Sequence, residues 1–214
     1  VLAKLRELRL EEDTLVVYTA DHGYDLGHHG RFEKHCGYDQ ALRVPLMIRW
    51  PGRVQPGVVR DFTEHLDLAP ALAEMLGAPA FDVQHGQSLR PYVEGRRPQR
   101  PRTYIVSEYL ENEEVFVRTA KWKLMYGSGK RKREDGYVTD NPTPGRTVRL
   151  YDLEKDPGEF RNVAAQSPKE VRELEKVALE RMRATHPEAG QEPSQAGVED
   201  ALDFYLRPRD AKPA

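Results

Sequence analysis

The sequence lacks several features that would each mark a particular class of protein. It has a single cysteine, Cys36, among 214 residues, so an internal disulfide is excluded. It has no apolar run near the roughly 20 residues that a membrane-spanning helix requires, so we expect no membrane span. It has no surplus of positive charge, because 33 Lys and Arg residues are balanced by 35 Asp and Glu residues. That balance argues against a dedicated nucleic-acid-binding protein.

The N-terminal half alternates between helix-like and strand-like patterns. Leucines recur at helical spacing over residues 2–12, and an apolar, β-branched run follows at residues 15–19. Residues 44–50 form a second apolar run, of the kind that a sheet buries on both faces. This order of elements predicts an α/β unit with a parallel sheet. Because residue 1 lies inside the first helical pattern, we expect the chain to be part of a longer protein.

The pattern changes after a polar, proline-interrupted linker at residues 95–102. Several strand-like runs follow one another without intervening helices, which predicts an antiparallel sheet. Residues 168–185 have one apolar face and predict a helix, and the Pro-, Gly- and Glu-rich composition beyond His186 predicts a loose tail. The sequence thus predicts an α/β part over residues 1–95 and an α+β subdomain with a loose tail over residues 96–214.

Asp21-His22-Gly23 directly follows the first predicted strand. Loops at the carboxyl ends of parallel strands commonly carry functional sites. A carboxylate and an imidazole are both metal ligands, and Gly23 permits a turn that directs the two side chains into one cleft. The alternative is an aspartate that accepts backbone hydrogen bonds in a turn, beside an incidental histidine.

The loop that follows contains further candidates. Lys34 would offset charge on an anionic ester if it lies near a metal site, whereas most lysines are solvated surface residues. His28 and His29 would either orient a leaving group or pack the loop. Cys36 is better explained as a small packed residue than as a nucleophile.

Several motifs occur in an order and spacing that resemble the sulfatase family, which belongs to the alkaline-phosphatase superfamily. Each motif alone is weakly specific, but together they cover about residues 10–165. In chain order they are DHG at 21–23, LGHHG at 26–30, Lys34, LRVPLMIRWPG at 42–52, DLAP at 67–70, GQSL at 86–89, RTAKWKL at 118–124, LYDLEKDPGE at 150–159 and Asn162.

The resemblance implies a metal-dependent sulfuric-ester hydrolase that acts on a small anionic ester. It implies that residues 1–95 are the C-terminal part of an alkaline-phosphatase-like α/β sandwich, followed by a small antiparallel sheet with a packed helix. Asp21 and His22 match two ligands of a divalent metal, typically Ca²⁺, and Lys34 matches a lysine that contacts the sulfate. The nucleophile implied is a formylglycine, made from the Cys or Ser of a Cys/Ser-x-Pro-x-Arg motif.

The chain departs from the family pattern in two ways. It contains no Cys/Ser-x-Pro-x-Arg motif, so we expect the missing N-terminal half of the same protein to supply the formylglycine. This segment alone is then expected to be inactive. The second departure is His22, where many members have Asn. Imidazole suits Mn²⁺ or Zn²⁺ better than Ca²⁺, which leaves open a phosphodiester or phosphonate monoester hydrolase of the same superfamily. A non-catalytic binding or scaffold domain is the third alternative.

Overall fold

The computed structural model describes residues 1–81, 85–129 and 145–207. Its tertiary contacts divide the chain into two compact units. The first unit comprises Val1–Gly23 and Arg43–Thr103. The second comprises Tyr24–Leu42 and the described residues from Tyr104 onward, so the candidate loop groups with the C-terminal part of the chain. The division of function between residues 1–95 and 96–214 stays a prediction.

The first unit contains a short helix and a two-stranded sheet. Helix α1 is Leu2–Glu7, and strands β1 (Val16–Thr19) and β2 (Leu46–Arg49) pair in antiparallel register. The predicted parallel arrangement of these two strands is therefore wrong. Two parallel strands need a crossover connection of a dozen or more residues, which is usually an α-helix. The connection here has only the 3-10 turn His28–Gly30 and the four-residue helix α2, Asp39–Leu42.

The predicted burial of both strands on two faces is not reached within the described residues. Tyr18 on β1 is 58% exposed and Met47 on β2 is 57% exposed. A two-stranded sheet buries little apolar surface by itself. Part of the apolar surface of the two strands is therefore left uncovered within the described residues.

The rest of the first unit is organised around a buried aspartate. Helix α3, Leu68–Leu76, ends at Gly77 (φ 69°), and helix α4 is Arg90–Val93. Asp67 directly precedes α3, and its carboxylate accepts hydrogen bonds from the backbone N–H groups of Glu64 and Gln87.

Arg102 completes this arrangement, with two guanidinium nitrogens at 2.6 and 2.7 Å from the Asp67 carboxylate oxygens. Burial alone would raise the pKa of Asp67, but the hydrogen bonds from Arg102 and the two backbone groups lower it below its ordinary value. A part of the predicted linker is therefore anchored at a buried charge.

The second unit is built on a four-stranded meander. Its strands are β3 (Tyr104–Tyr109), β4 (Glu114–Thr119), β5 (Trp122–Gly127) and β6 (Thr147–Asp152). They pair in the order β3-β4-β5-β6, and every pair is antiparallel. The predicted antiparallel sheet is confirmed. Consecutive strands joined by short turns, as β3 is to β4 and β4 is to β5, pair most simply in this way.

Two helices cover the sheet. Helix α5, Pro168–Thr185, matches its predicted bounds and places Leu174, Ala178 and Met182 in the core. Helix α6, Val198–Leu206, lies where a loose tail was predicted, and that prediction is wrong. Its buried residues are Ala201, Leu202, Asp203, Tyr205 and Leu206. None of the helices in the described ranges has both the length and the apolar character that crossing a membrane would require.

Helix α6 is held by apolar packing and by charge. Leu202 is fully buried in the main core of the unit. Tyr126 on β5 donates a hydrogen bond of 2.6 Å to Asp203, and Arg146 donates to the same carboxylate. Arg146 also pairs with Glu199. The C-terminal helix is therefore part of the folded unit.

Truncating a core side chain of α6 tests this role directly. Leu202→Ala should lower the free energy of unfolding by about 2–5 kcal/mol, the usual cost of removing a buried leucine side chain. Ser194→Ala, at an exposed position before the helix, is the matched control and should be near neutral. Chemical denaturation of both variants measures the difference. If Leu202→Ala were as stable as the control, the segment would be a loose tail after all.

A second test uses a buried acid on α5. Burial, reinforced by the charge of Glu199, raises the pKa of Glu175 to about 7, against the smaller lowering effects of Arg172 and Arg146. Because the folded-state pKa lies above the ordinary 4.5, the folded state binds this proton more tightly than the unfolded state. The stability from this group is therefore fully present below about pH 4.5 and is lost as the pH rises through 7.

Glu175→Gln should remove this dependence. At pH 8 we expect the variant to be more stable than the wild type by on the order of 2–3 kcal/mol, and at pH 5 the two should differ little. Denaturation curves for both proteins across this range make the comparison. An equal difference at pH 5 and pH 8 would show that Glu175 does not titrate as described.

Candidate functional site

Asp21 and His22 form a compact pair immediately after β1. The backbone N–H of His22 donates to Asp21 Oδ1 at 3.0 Å. The Nδ1 atom of His22 lies 2.7 Å from the carbonyl oxygen of Gly23. Since a carbonyl oxygen only accepts hydrogen bonds, Nδ1 is the donor in this contact, and Nε2 is the nitrogen on the side of Asp21. Metal-binding histidines commonly have this arrangement, with one nitrogen tied to a carbonyl and the other facing the ion.

The two side chains also have a spacing that suits a shared ion. His22 Nε2 lies 3.5 Å from Asp21 Oδ2. Divalent ions bind oxygen and nitrogen ligands at about 2.0–2.6 Å, so two donors at this separation can contact one ion. The Asp21 side chain is 86% exposed and that of His22 is 38% exposed, so both can be reached from solvent. The donor set fits a divalent metal.

These two residues make up only part of a coordination sphere. Within residues 1–81, 85–129 and 145–207, no group of three or more His, Cys, Asp or Glu side chains could hold a metal ion. Ca²⁺ takes six to eight oxygen ligands, and Zn²⁺ usually takes four ligands. The remaining ligands would have to come from groups outside these ranges or from solvent.

The candidate loop, residues 24–42, is tied to itself by backbone hydrogen bonds. Asp25 N–H donates to the Glu33 carbonyl at 2.8 Å, and Gly27 N–H donates to the Arg31 carbonyl at 2.7 Å. Gly27 has φ 99°, a conformation that favours glycine. These contacts close a small hairpin-like loop whose tip holds the two candidate histidines.

His28 and His29 differ in their surroundings. His28 is exposed, whereas His29 stacks on Tyr38 with ring centres 3.6 Å apart and planes inclined by 7°. Phe160 contacts the same imidazole, with ring centres 4.7 Å apart. His29 therefore packs the loop, which was one of its two predicted roles. Catalytic roles for His28 and His29 stay predictions.

Lys34 is exposed and lies between two anchored residues. Glu33 before it is buried and pairs with Arg31. His35 after it has its Nδ1 atom 2.6 Å from the Tyr109 hydroxyl on β3. The backbone that carries the Lys34 ammonium group is therefore fixed on both sides. The structure thus brings Asp21 and His22 together in the first unit and places His28, His29 and Lys34 on one loop of the second unit.

Cys36 is a buried thiol. Its Sγ donates to Asp25 Oδ2 at 3.2 Å. Burial, with a further contribution from the charge and hydrogen bond of Asp25, raises the pKa of Cys36 to about 12. A thiolate is the nucleophilic form of cysteine, so this residue is not a nucleophile at neutral pH.

Sequence reasoning missed a buried ion network at the end of the loop. Lys123 on β5 has a side chain only 1% exposed, with its ammonium nitrogen 2.7 Å from both Asp39 Oδ1 and Glu159 Oε1. Residues two apart on a strand share a face, so Lys123 lies on the same face as buried Met125. The alternation along the strand was the sequence signal for this network, because a lysine on the same face as a core residue is buried and must be paired.

The sequence model of the family described as "N-sulphoglucosamine sulphohydrolase, C-terminal" matches residues 27–186. Human arylsulfatase A is 32% identical in an alignment that covers 84% of this chain and 40% of the relative. The structure of BT4656 in complex with its substrate D-glucosamine-2-N,6-O-disulfate has a TM-score of 0.69 and 25% identity. That match covers 88% of this chain and 38% of BT4656.

A phosphonate monoester hydrolase from Silicibacter pomeroyi is also similar, with a TM-score of 0.66 and 31% identity over 86% of this chain and 37% of that one. The chain thus spans about two fifths of the length of the proteins it matches. The structural likenesses confirm the predicted α/β fold class. Because the family model covers most of the sequence and named sulfatases are its relatives, the chain belongs to the sulfatase family, of which it matches the C-terminal part.

Proposed function

We propose that this chain forms part of the active site of a metal-dependent sulfuric-ester hydrolase. The observation that carries the proposal is the Asp21–His22 pair, in which Nδ1 of the histidine is tied to a carbonyl and Nε2 lies 3.5 Å from the carboxylate. Membership of the sulfatase family supports the same reading.

Asp21 and His22 would hold a divalent ion through a carboxylate oxygen and Nε2. Ca²⁺ is the metal typical of the family, and the imidazole ligand makes Mn²⁺ or Zn²⁺ the alternatives. When bound, the metal supplies positive charge close to the anionic group of the ester. The contact between Nδ1 and the Gly23 carbonyl would orient the His22 ring so that Nε2 is the nitrogen that meets the ion.

Lys34 would contact the anionic group of the substrate. Its ammonium group would stabilise the negative charge that develops as the ester bond breaks. His28 and His29 lie at the tip of the same loop. His28, which is exposed, is the better placed of the two to meet a leaving group. No step is assigned to Cys36, because its thiol is protonated.

The nucleophile would come from another part of the protein. This chain has no Cys/Ser-x-Pro-x-Arg motif, so we propose that a formylglycine is supplied by an N-terminal part. Binding residues without a nucleophile leave no covalent route, so residues 1–214 alone should not turn over a sulfate ester.

The substrate proposed is a small anionic sulfate ester. Arylsulfatase A and the disulfated glucosamine bound to BT4656 support this class. A phosphonate monoester is the second candidate, favoured by the 31% identity to a phosphonate monoester hydrolase and by the imidazole of His22. Parallel assays of the full-length protein with an aryl sulfate, an aryl phosphonate monoester and a phosphodiester test the choice. Turnover of the phosphonate ester far above that of the sulfate would overturn the leading proposal.

Asp21→Ala should strongly reduce the metal content of the full-length protein. The substitution removes both a ligand and a negative charge, and hard cations depend on both. Elemental analysis of the purified protein gives the metal-to-protein ratio. Asp13→Ala, at an exposed aspartate of the same unit, serves as the control and should keep the wild-type ratio. Full metal retention by Asp21→Ala would remove this residue from the site.

Lys34→Ala should leave the metal content unchanged and lower turnover. Removing one charge-stabilising donor from a preorganised site typically lowers kcat by a factor on the order of 10²–10³. Steady-state hydrolysis of an aryl sulfate measures the loss. Lys155→Ala, which removes an exposed lysine of the second unit, is the control for loss of surface charge. A Lys34→Ala enzyme with the turnover of the control would contradict the role given to this lysine.

A further inference from the structure

The buried network around Lys123 fixes the C-terminal end of the candidate loop. The Lys123 ammonium group contacts carboxylates from two separate segments, Asp39 at the start of α2 and Glu159 in the turn after β6. Glu159 uses its other oxygen to accept the backbone N–H of Asp39 at 2.8 Å. Asp39 is therefore held through both its side chain and its main chain.

The charges of this network balance, and burial makes those of Lys123 and Glu159 costly. Arg118 on β4 lies opposite Lys123 in the sheet register, and its Nε atom is 3.5 Å from Asp39 Oδ2. Two cations thus face two anions. Glu159 also has φ 61°, a left-handed conformation that a non-glycine residue adopts when its surroundings require it. The contacts of Glu159 with Lys123 and Asp39 hold it in this conformation.

The constraint at Asp39 reaches Lys34 through a short and tightly packed segment. Tyr38 is stacked on His29, and Cys36 donates to Asp25. Gly37 lies against the ring of Phe116 so closely that a Cβ atom would overlap it. His35 contacts the Tyr109 hydroxyl. Every residue between Asp39 and Lys34 is therefore in contact with another part of the second unit.

We propose that Lys123 is a positioning residue, which acts on the substrate only by fixing the loop that presents Lys34. This inference rests on the proposed role of Lys34. Without Lys123, the buried Glu159 carboxylate and the partly exposed Asp39 carboxylate would share one cation fewer, and the loop end would move to separate or hydrate them. A displacement of about 1 Å in a reacting group can lower a rate about 10²-fold.

A double-mutant cycle in the metal-loaded full-length enzyme tests the proposal. Lys123→Met should lower kcat for an aryl sulfate by a factor of about 10–100, with metal content unchanged. In a Lys34→Ala background, Lys123→Met should produce no further loss, because the group through which it acts is already absent. A purely structural role would instead lower activity by the same factor in both backgrounds.

Two further variants keep the result interpretable. Glu159→Gln keeps an acceptor for the Asp39 N–H while removing the charge that faces Lys123, so it should show a smaller loss with the same non-additivity. It decides the question if Lys123→Met fails to fold. Arg146→Met disrupts the ion pairs that hold α6 in the same unit, and it should lower stability without changing kcat.

The outcomes separate the two proposals. Loss of turnover in Lys34→Ala, with none in Lys123→Met or Glu159→Gln, overturns the positioning role and leaves the proposed function intact. An equal fold-loss of turnover from Lys123→Met in the wild-type and Lys34→Ala backgrounds also overturns the positioning role. Unchanged turnover in Lys34→Ala would instead defeat the role of that lysine in the proposed function, and the positioning role with it.

Discussion

The ammonium group of Lys123 lies between two carboxylates inside the second unit, and three segments that are distant in sequence meet there. A buried charge of this kind tolerates few arrangements, because each partner must stay within contact distance or lose its compensation. Apolar burial is non-directional and does not by itself specify which atoms must meet. The ionic contact does specify them, and so a loop that contains only a 3-10 turn and the four-residue helix α2 has one defined path across the sheet.

The first unit uses the same principle with different residues. The Asp67 carboxylate accepts from two backbone N–H groups and from the guanidinium group of Arg102, and all of these are drawn from irregular chain. Gly86 lies so close to the Leu66 carbonyl that a side chain would not fit between them. In both units, therefore, a buried carboxylate fixes irregular segments that the hydrogen bonds of a helix or a strand do not hold in place.

The elements that the sequence predicted correctly are those specified by local pattern. The apolar face of α5 repeats at helical spacing, and the consecutive runs of β3 to β6 leave little choice of pairing. The contact between Asp21 and His22 was predictable because the residues are adjacent. The direction of β2 was not predictable, because the pairing of β1 with β2 depends on the path of the long connection between them. Helix α6 was hidden by the proline- and glycine-rich composition that precedes it, although Leu202 and Leu206 have helical spacing.

The thiol of Cys36 is held in its protonated form, buried beneath the loop and donating to Asp25. Oxidants and alkylating agents attack the thiolate, and they need access to the sulfur. The only cysteine of this chain meets neither condition. The packing that fixes the loop carrying Lys34 therefore also shields this thiol from oxidation.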